Sequence, residues 1–523
     1  MPTARITPAP AASETPGVLR PWARVLSLTA LIMVAQLAVA PRVALAHGHL
    51  KGSSPAAGAH LAEVPRLLRF DFSEVPELTF TSVRLLTADG REILLGALAY
   101  AADSRRSVVA AVAGAMDAGV YTVIWQMAGD DGHPVRGTFE FVVAPGAMGV
   151  GVMPSGVSPG SPRSAGGAGV VVPPPMDSMH HNVVSMPEGS GFGAESPLYV
   201  VIRWIQFVAL LLVIGAVTFH AFVLAFIRRD PHSAGNADES SLLAAAGERA
   251  ASIGNIAVGA LAVTLLLRLW AQAYALHGAA NVVDVRLLLP MVGKTMWGWG
   301  WLLQLAGVLL AGAGFHGAWT SARDARVRTA KAPRIAPQWW WRLAAIGAVV
   351  VAFSPALSGH AAASPTLRAL AILADGLHVL GASSWLGTLA IVLFAGLAAA
   401  RAHRAELHGP FVRDLINAFS PVALTSAGLA ATTGVFAAWL HVGTIPNLWG
   451  TRYGVTLLIK LAILGVVALT GFYNWRFVKP RLGTAEATSR LTRSASVEVA
   501  VAILVLLVTA ILVASPTSMD MVM

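Results

Sequence analysis

The chain of 523 residues contains no cysteine. That absence excludes disulfides, thiolate metal sites, CxxC redox chemistry and a blue-copper centre, which needs a Cys ligand. Charge is scarce as well. Only 12% of the residues are Asp, Glu, Lys or Arg, against 55% hydrophobic, and the mean hydropathy is +0.65. That balance excludes an ordinary soluble enzyme and places the chain with membrane proteins. Nucleotide-driven chemistry has no foothold. Gly293-Lys294-Thr295 lacks the upstream Gly of a P-loop, and there is no DKTG for an aspartyl-phosphate pump. The net charge of +10 is scattered between apolar runs, so membrane topology accounts for it and no nucleic-acid partner is implied.

Read in order, residues 1–46 form a secretory signal. Arg20 and Arg24 precede an apolar core, and Ala44-Leu45-Ala46 is an A-x-A cleavage site. Cleavage there leaves His47 as the first residue. Its α-amine and imidazole can chelate one borderline divalent ion such as Cu(II). Residues 47–144 read as a small all-β sandwich. The runs Leu67–Phe72, Thr79–Leu86, Tyr121–Trp125 and Gly137–Val143 are short and rich in aliphatic and aromatic residues. Turn signals at Asp89-Gly90 and Asp130-Asp131-Gly132 separate them.

Residues 145–197 are a Gly/Pro/Ser linker. It holds Met176, Met179, His180 and His181, thioether and imidazole groups that suit copper in both oxidation states. Residues 198–516 give eight apolar spans, near 198–227, 251–276, 296–318, 340–357, 367–399, 416–440, 453–475 and 495–515. Residues 517–523 form a Met-rich tail.

The loops after the odd-numbered spans carry most of the Arg and Lys, among them Arg228, Arg323, Arg401 and Arg476. The opposite loops hold little more than Arg286, Lys294 and Arg452. This predicts an all-α bundle in the bacterial inner membrane, with both ends and the β domain outside.

Polar residues within or beside the spans are functional candidates, because a charge in lipid is costly. His277, Met291, Met296 and His360 lie at or near outer ends. Asp375 lies about 12 Å along its helix from Leu367, and His378 is one turn deeper. These six residues outline a route into the membrane. Asp375 and His378 suit a proton relay as well as a ligand pair. Arg268 and Lys460 are expected to face the bundle or to pair with an acid.

Two stretches of the chain resemble known families. HGHLKGSSPAAGA at 47–59, FSE at 72–74 and YTVIWQMAGDDGHPVRGTFEFVV at 121–143 resemble the CopC periplasmic copper-binding proteins, which have a cupredoxin/Ig-like sandwich. The resemblance implies a Cu(II) site of His47, Asp131 and His133, with Glu74 as a further or axial ligand. His49 adds a nearby imidazole. SGHAAA at 358–363, DGLHVLGASSWLG at 375–387, FSPVAL at 419–424, the run at 451–475 and the Glu498 span resemble the CopD membrane proteins. The matching residues are His360, Asp375, His378, Trp385, Lys460 and Asn474.

The resemblances together imply a multidomain membrane protein, not an enzyme, that captures Cu(II) and imports copper, with Cu(I) in the membrane route. Its partners would be copper, the bilayer and a periplasmic copper chaperone. Two alternatives stand beside this reading. One is a membrane copper or haem oxidoreductase. The other is a protein that sequesters or senses copper without transporting it.

Overall fold

The computed structural model describes residues 49–129, 134–148, 196–229, 237–328, 337–359, 367–403, 405–442, 444–482 and 484–515. They form two compact units. One comprises the β domain and residues 274–291; the other is the remainder of the helical region.

The β unit is a sandwich of two sheets. One sheet runs in the order β1 (Leu50–Ser54), β3 (Leu67–Phe72), β7 (Ser104–Ala111), β6 (Ala99–Ala101). The other runs β2 (His60–Glu63), β9 (Pro134–Met148), β8 (Gly119–Ala128), β4 (Ser82–Thr87), β5 (Glu92–Ile93). The alternation of β3 puts Leu68, Phe70 and Phe72 into the core, and leaves Arg69 and Asp71 on the outer face. In β8 the same period buries Tyr121, Val123, Trp125 and Met127.

The two inner faces meet through aromatic rings. Trp125 lies edge-on to Phe72 at 5.6 Å, and Tyr121 stacks on Phe141 at 5.7 Å. Gly137 is paired with Trp125 across the β8–β9 ladder, and the indole occupies the space a side chain at 137 would take. On the outer face Arg69 makes a two-pronged contact with Asp103, at 3.0 and 2.9 Å, and also bonds Asp71.

The sequence reading places four of these strands. It misses β7, which opens on the polar stretch Ser104–Ser107, and the short strands β1, β2, β5 and β6. Strand β9 runs to Met148, four residues into the expected linker. Residues 149–195 of that linker and the tail from 516 lie outside the described residues.

Among the described residues of the helical region, eight helices are long and apolar enough to cross a membrane. They are the first span Pro197–Arg228, second Asp238–His277, third Met296–Asp324, fourth Gln338–Leu357, fifth Arg368–Arg401, sixth His408–Val442, seventh Arg452–Arg481 and eighth Glu486–Ala514. Five of them overrun the hydropathy-based limits, each at its basic end: the second, third, sixth, seventh and eighth. The overrun is polar helix that an apolar window cannot register. Ser196, Thr451 and Thr484 cap the first, seventh and eighth spans by accepting bonds from the amides of Tyr199, Gly454 and Ala487.

Small residues bring these helices together, as expected where lipid offers no hydrophobic drive between them. Gly215 of the first span and Gly387 of the fifth lie backbone against backbone. The Phe353 ring packs over Gly376, joining the fourth and fifth spans. Gly381 faces Ser426 and Ala430 of the sixth. Four stretches are wound as π-helix: Phe219–Leu224, Ser383–Gly387, Val392–Gly396 and Asn474–Val478. Three of them carry His220, Trp385 and Asn474. Such turns frequently accompany functional residues.

Candidate copper centres

The β unit brings three separate stretches to one corner. At the start of β1, the His49 amide donates to Ser73 Oγ at 2.9 Å, and the Ser73 amide donates to the His49 carbonyl at 2.9 Å. The next residue, Glu74, lays its carboxylate against Gly129, where no side chain intervenes. Gly129 opens the β8–β9 turn, which is closed below by the Ala128–Pro134 pair. The Glu77 amide donates to the Ala128 carbonyl at 2.9 Å and braces the same junction.

His47, Asp131 and His133 lie outside the described residues. The described residues that flank them in the sequence, His49, Gly129 and Pro134, are among those gathered here. His49 is not an exposed imidazole, because its Nε2 is buried without a hydrogen-bond partner. Imidazole nitrogen and carboxylate oxygen are both donors that suit a borderline divalent ion. Among the described residues, no three His, Asp or Glu side chains are gathered closely enough to hold a metal ion.

In the helical unit, His378 is held by its Nδ1–H, which donates to the Ala430 carbonyl at 2.8 Å; Thr433 Oγ1 lies 3.3 Å away. Gly434 makes room for the ring, since a side chain there would begin 3.0 Å from Cε1. Nε2 is therefore the nitrogen with a free lone pair, available to a metal or a proton. Among the described residues, Lys460 of the seventh span forms no ion pair with Asp375.

Arg268 faces the bundle, the first of the two options expected for it, and bonds Gln304 Oε1 at 2.7 Å and Ser358 Oγ at 3.2 Å and not an acid. Met296 belongs to this unit, whereas His277 and Met291 belong to the β unit, where Met291 is fully buried. His360 and the linker residues Met176, Met179, His180 and His181 lie outside the described residues.

Two features escape the sequence reading. Glu498 is buried in the eighth span, and the Asn474 side-chain amide donates to its carboxylate. Each residue is conspicuous alone in an apolar run, but nothing in the sequence pairs them. The second feature is a cavity of about 650 Å³ at the basic end of the bundle, lined in part by His220, Arg228, Glu248, Trp341 and His403. His220 stacks on Trp341 with ring centres 3.8 Å apart, and its Nδ1 is buried without a partner.

Three family models match the chain. A CopC domain matches residues 50–144, a copper resistance protein D-like N-terminal domain matches 194–370, and copper resistance protein D matches 413–512. Asp375 and His378 fall between the last two matches. The chain is 22% identical over 487 residues to the copper transport protein CutJ of Bacillus subtilis, covering 93% of this chain and 77% of that one. It is 29% identical over 114 residues to protein YobA of Escherichia coli K12, covering 22% of this chain and 91% of YobA. Among solved structures, CopC from Methylosinus trichosporium OB3b is 29% identical over 19% of this chain and 95% of its own, with a TM-score of 0.18. PcoC, a methionine-rich copper resistance protein from Escherichia coli, is 27% identical over 18% and 98%, with a TM-score of 0.17.

Proposed function

Since this one chain carries a CopC domain together with both parts of a copper resistance D protein, we propose that it captures Cu(II) outside the cytoplasmic membrane and imports copper. His47, Asp131 and His133 bind the ion, with Glu74 completing or capping the set. The observation that carries this reading is the junction of His49, Ser73, Glu74 and Gly129. It gathers the start of β1, the Glu74 carboxylate and the end of β8 at one corner of the sandwich, and these flank His47 and Asp131–His133 in the sequence. The residues fit copper: nitrogen and carboxylate donors are present, and one buried imidazole nitrogen there is still open.

The linker residues Met176, Met179, His180 and His181 hand copper on. Copper then passes inward by way of His277, Met291, Met296, His360, Asp375 and His378, as Cu(I) where Met and His share it. The β domain stands in the periplasm, where a copper chaperone can load it. The protein acts as a transporter and not as an enzyme, with Asp375 and His378 suited to link transport to protons or to the membrane potential. Copper flux into proteoliposomes holding the full chain tests this, with Cu(II) and then Cu(I), and with and without a proton gradient. Uptake of either form is expected. No flux in any arm, with Cu(II) still bound, would leave sequestration or sensing as the function.

A further inference from the structure

Two arginines lie buried in the helical unit: Arg203 of the first span at 8% exposure and Arg268 of the second at 7%. Neither forms an ion pair with a carboxylate among the described residues. They converge on Tyr199. The Arg203 guanidinium lies 4.4 Å over its ring, and both arginines are near the phenol. Arg268 is further fixed by Gln304 and Ser358.

Two donors in this group have no acceptor. Arg203 Nη1 is buried without a hydrogen-bond partner, and so is the Gln304 side-chain nitrogen, on a residue with no exposed surface. Water could satisfy the donors but would leave two neighbouring positive charges unbalanced in a medium that screens poorly. The missing element is both an acceptor and a negative charge.

We propose that Arg203, Arg268, Tyr199 and Gln304 form a binding site for a small anion inside the bundle. The ligand is a monovalent anion of halide or carboxylate chemistry. Arg203 Nη1 and the Gln304 amide donate to it, and the two guanidiniums balance its charge. The inference does not rest on the copper reading, because no copper ligand takes part.

The test uses the full-length protein in detergent. Its thermal unfolding is followed while chloride replaces gluconate at constant ionic strength, and formate replaces gluconate in a parallel series. A ligand bound only by the folded state raises the midpoint saturably. Saturable stabilisation by chloride is expected, weakened at least tenfold in apparent affinity by Arg203→Gln and by Gln304→Leu. The second variant removes a neutral donor and keeps the test open if the first does not fold. A larger saturable shift with formate than with chloride assigns the site to a carboxylate source. Flat curves with both anions in the parent protein overturn the proposal.

Discussion

The Glu74 carboxylate rests against the Gly129 backbone, in the space that a side chain on residue 129 would need. This contact couples the end of β3 to the turn that carries Asp131 and His133. Gly129→Ala should push Glu74 away from the turn. Since supporting contacts commonly tune metal affinity by about ten- to a hundredfold, Cu(II) affinity should fall by about that factor, with the aromatic core intact. Competitive Cu(II) titration of Gly129→Ala against the parent checks it. Equal affinity would detach Glu74 from the site.

His47→Ala and His133→Ala should each abolish tight Cu(II) binding, since the first removes an imidazole beside the α-amine and the second removes the imidazole of the turn. Glu74→Gln should weaken binding far less, as suits an axial ligand. Cu(II) electron paramagnetic resonance on the three variants separates these roles by the loss of nitrogen couplings. Unchanged spectra in both histidine variants would sink the ligand assignment.

Much of this architecture is legible from the chain alone. The period of Leu67–Phe72 gives β3 outright, and eight apolar runs give the eight spans. What the sequence hides is relational. Gly215 and Gly387 look like any glycine in an apolar run, and only packing shows that they are partners. Asn474 and Glu498 are 24 residues apart on different helices, so no spacing rule links them. The contact of Glu74 with Gly129 depends on two strand ends meeting across the sandwich. The π-helical turns add a residue to a helix without any compositional mark.

The backbone contact of Gly215 with Gly387 leaves no flexible side chain to yield. Gly387→Ala should therefore separate the first and fifth spans and destabilise the bundle, by about 1–3 kcal/mol as for other overpacked sites. The same change at Gly465, where no neighbour stands within 4 Å, should be nearly neutral. Thermal unfolding of both variants in one detergent makes the comparison. Equal losses would mean that the contact is not structural.

On the β domain the Arg69 guanidinium, by its hydrogen bond, holds the exposed Asp103 carboxyl below the ordinary carboxylate range. A group whose folded value is depressed stabilises the fold above its unfolded value, and that stability is lost as the pH falls through the folded value. Arg69→Met should return Asp103 toward its ordinary range and remove this part of the acid-side loss. A carboxyl NMR titration of the fragment 47–148 reads the shift directly. An unmoved Asp103 titration would show that Arg69 is not the cause.

His378 donates its Nδ1–H to the Ala430 carbonyl at 2.8 Å, which fixes the ring and leaves the Nε2 lone pair available. A ligand and a proton relay both need that lone pair, but they fail differently when the ring is lost. If Nε2 holds copper, His378→Ala should lower uptake whether or not a proton gradient is present. If it carries protons, the variant should keep gradient-free flux and lose only the part that the gradient adds. Gly434→Val leaves the imidazole in the chain but crowds Cε1, which a side chain at 434 would meet at 3.0 Å. It should reproduce whichever defect His378→Ala shows, in weaker form. Proteoliposome flux with and without the gradient, at matched protein content, distinguishes the two. Normal flux in both variants under both conditions would remove His378 from the route.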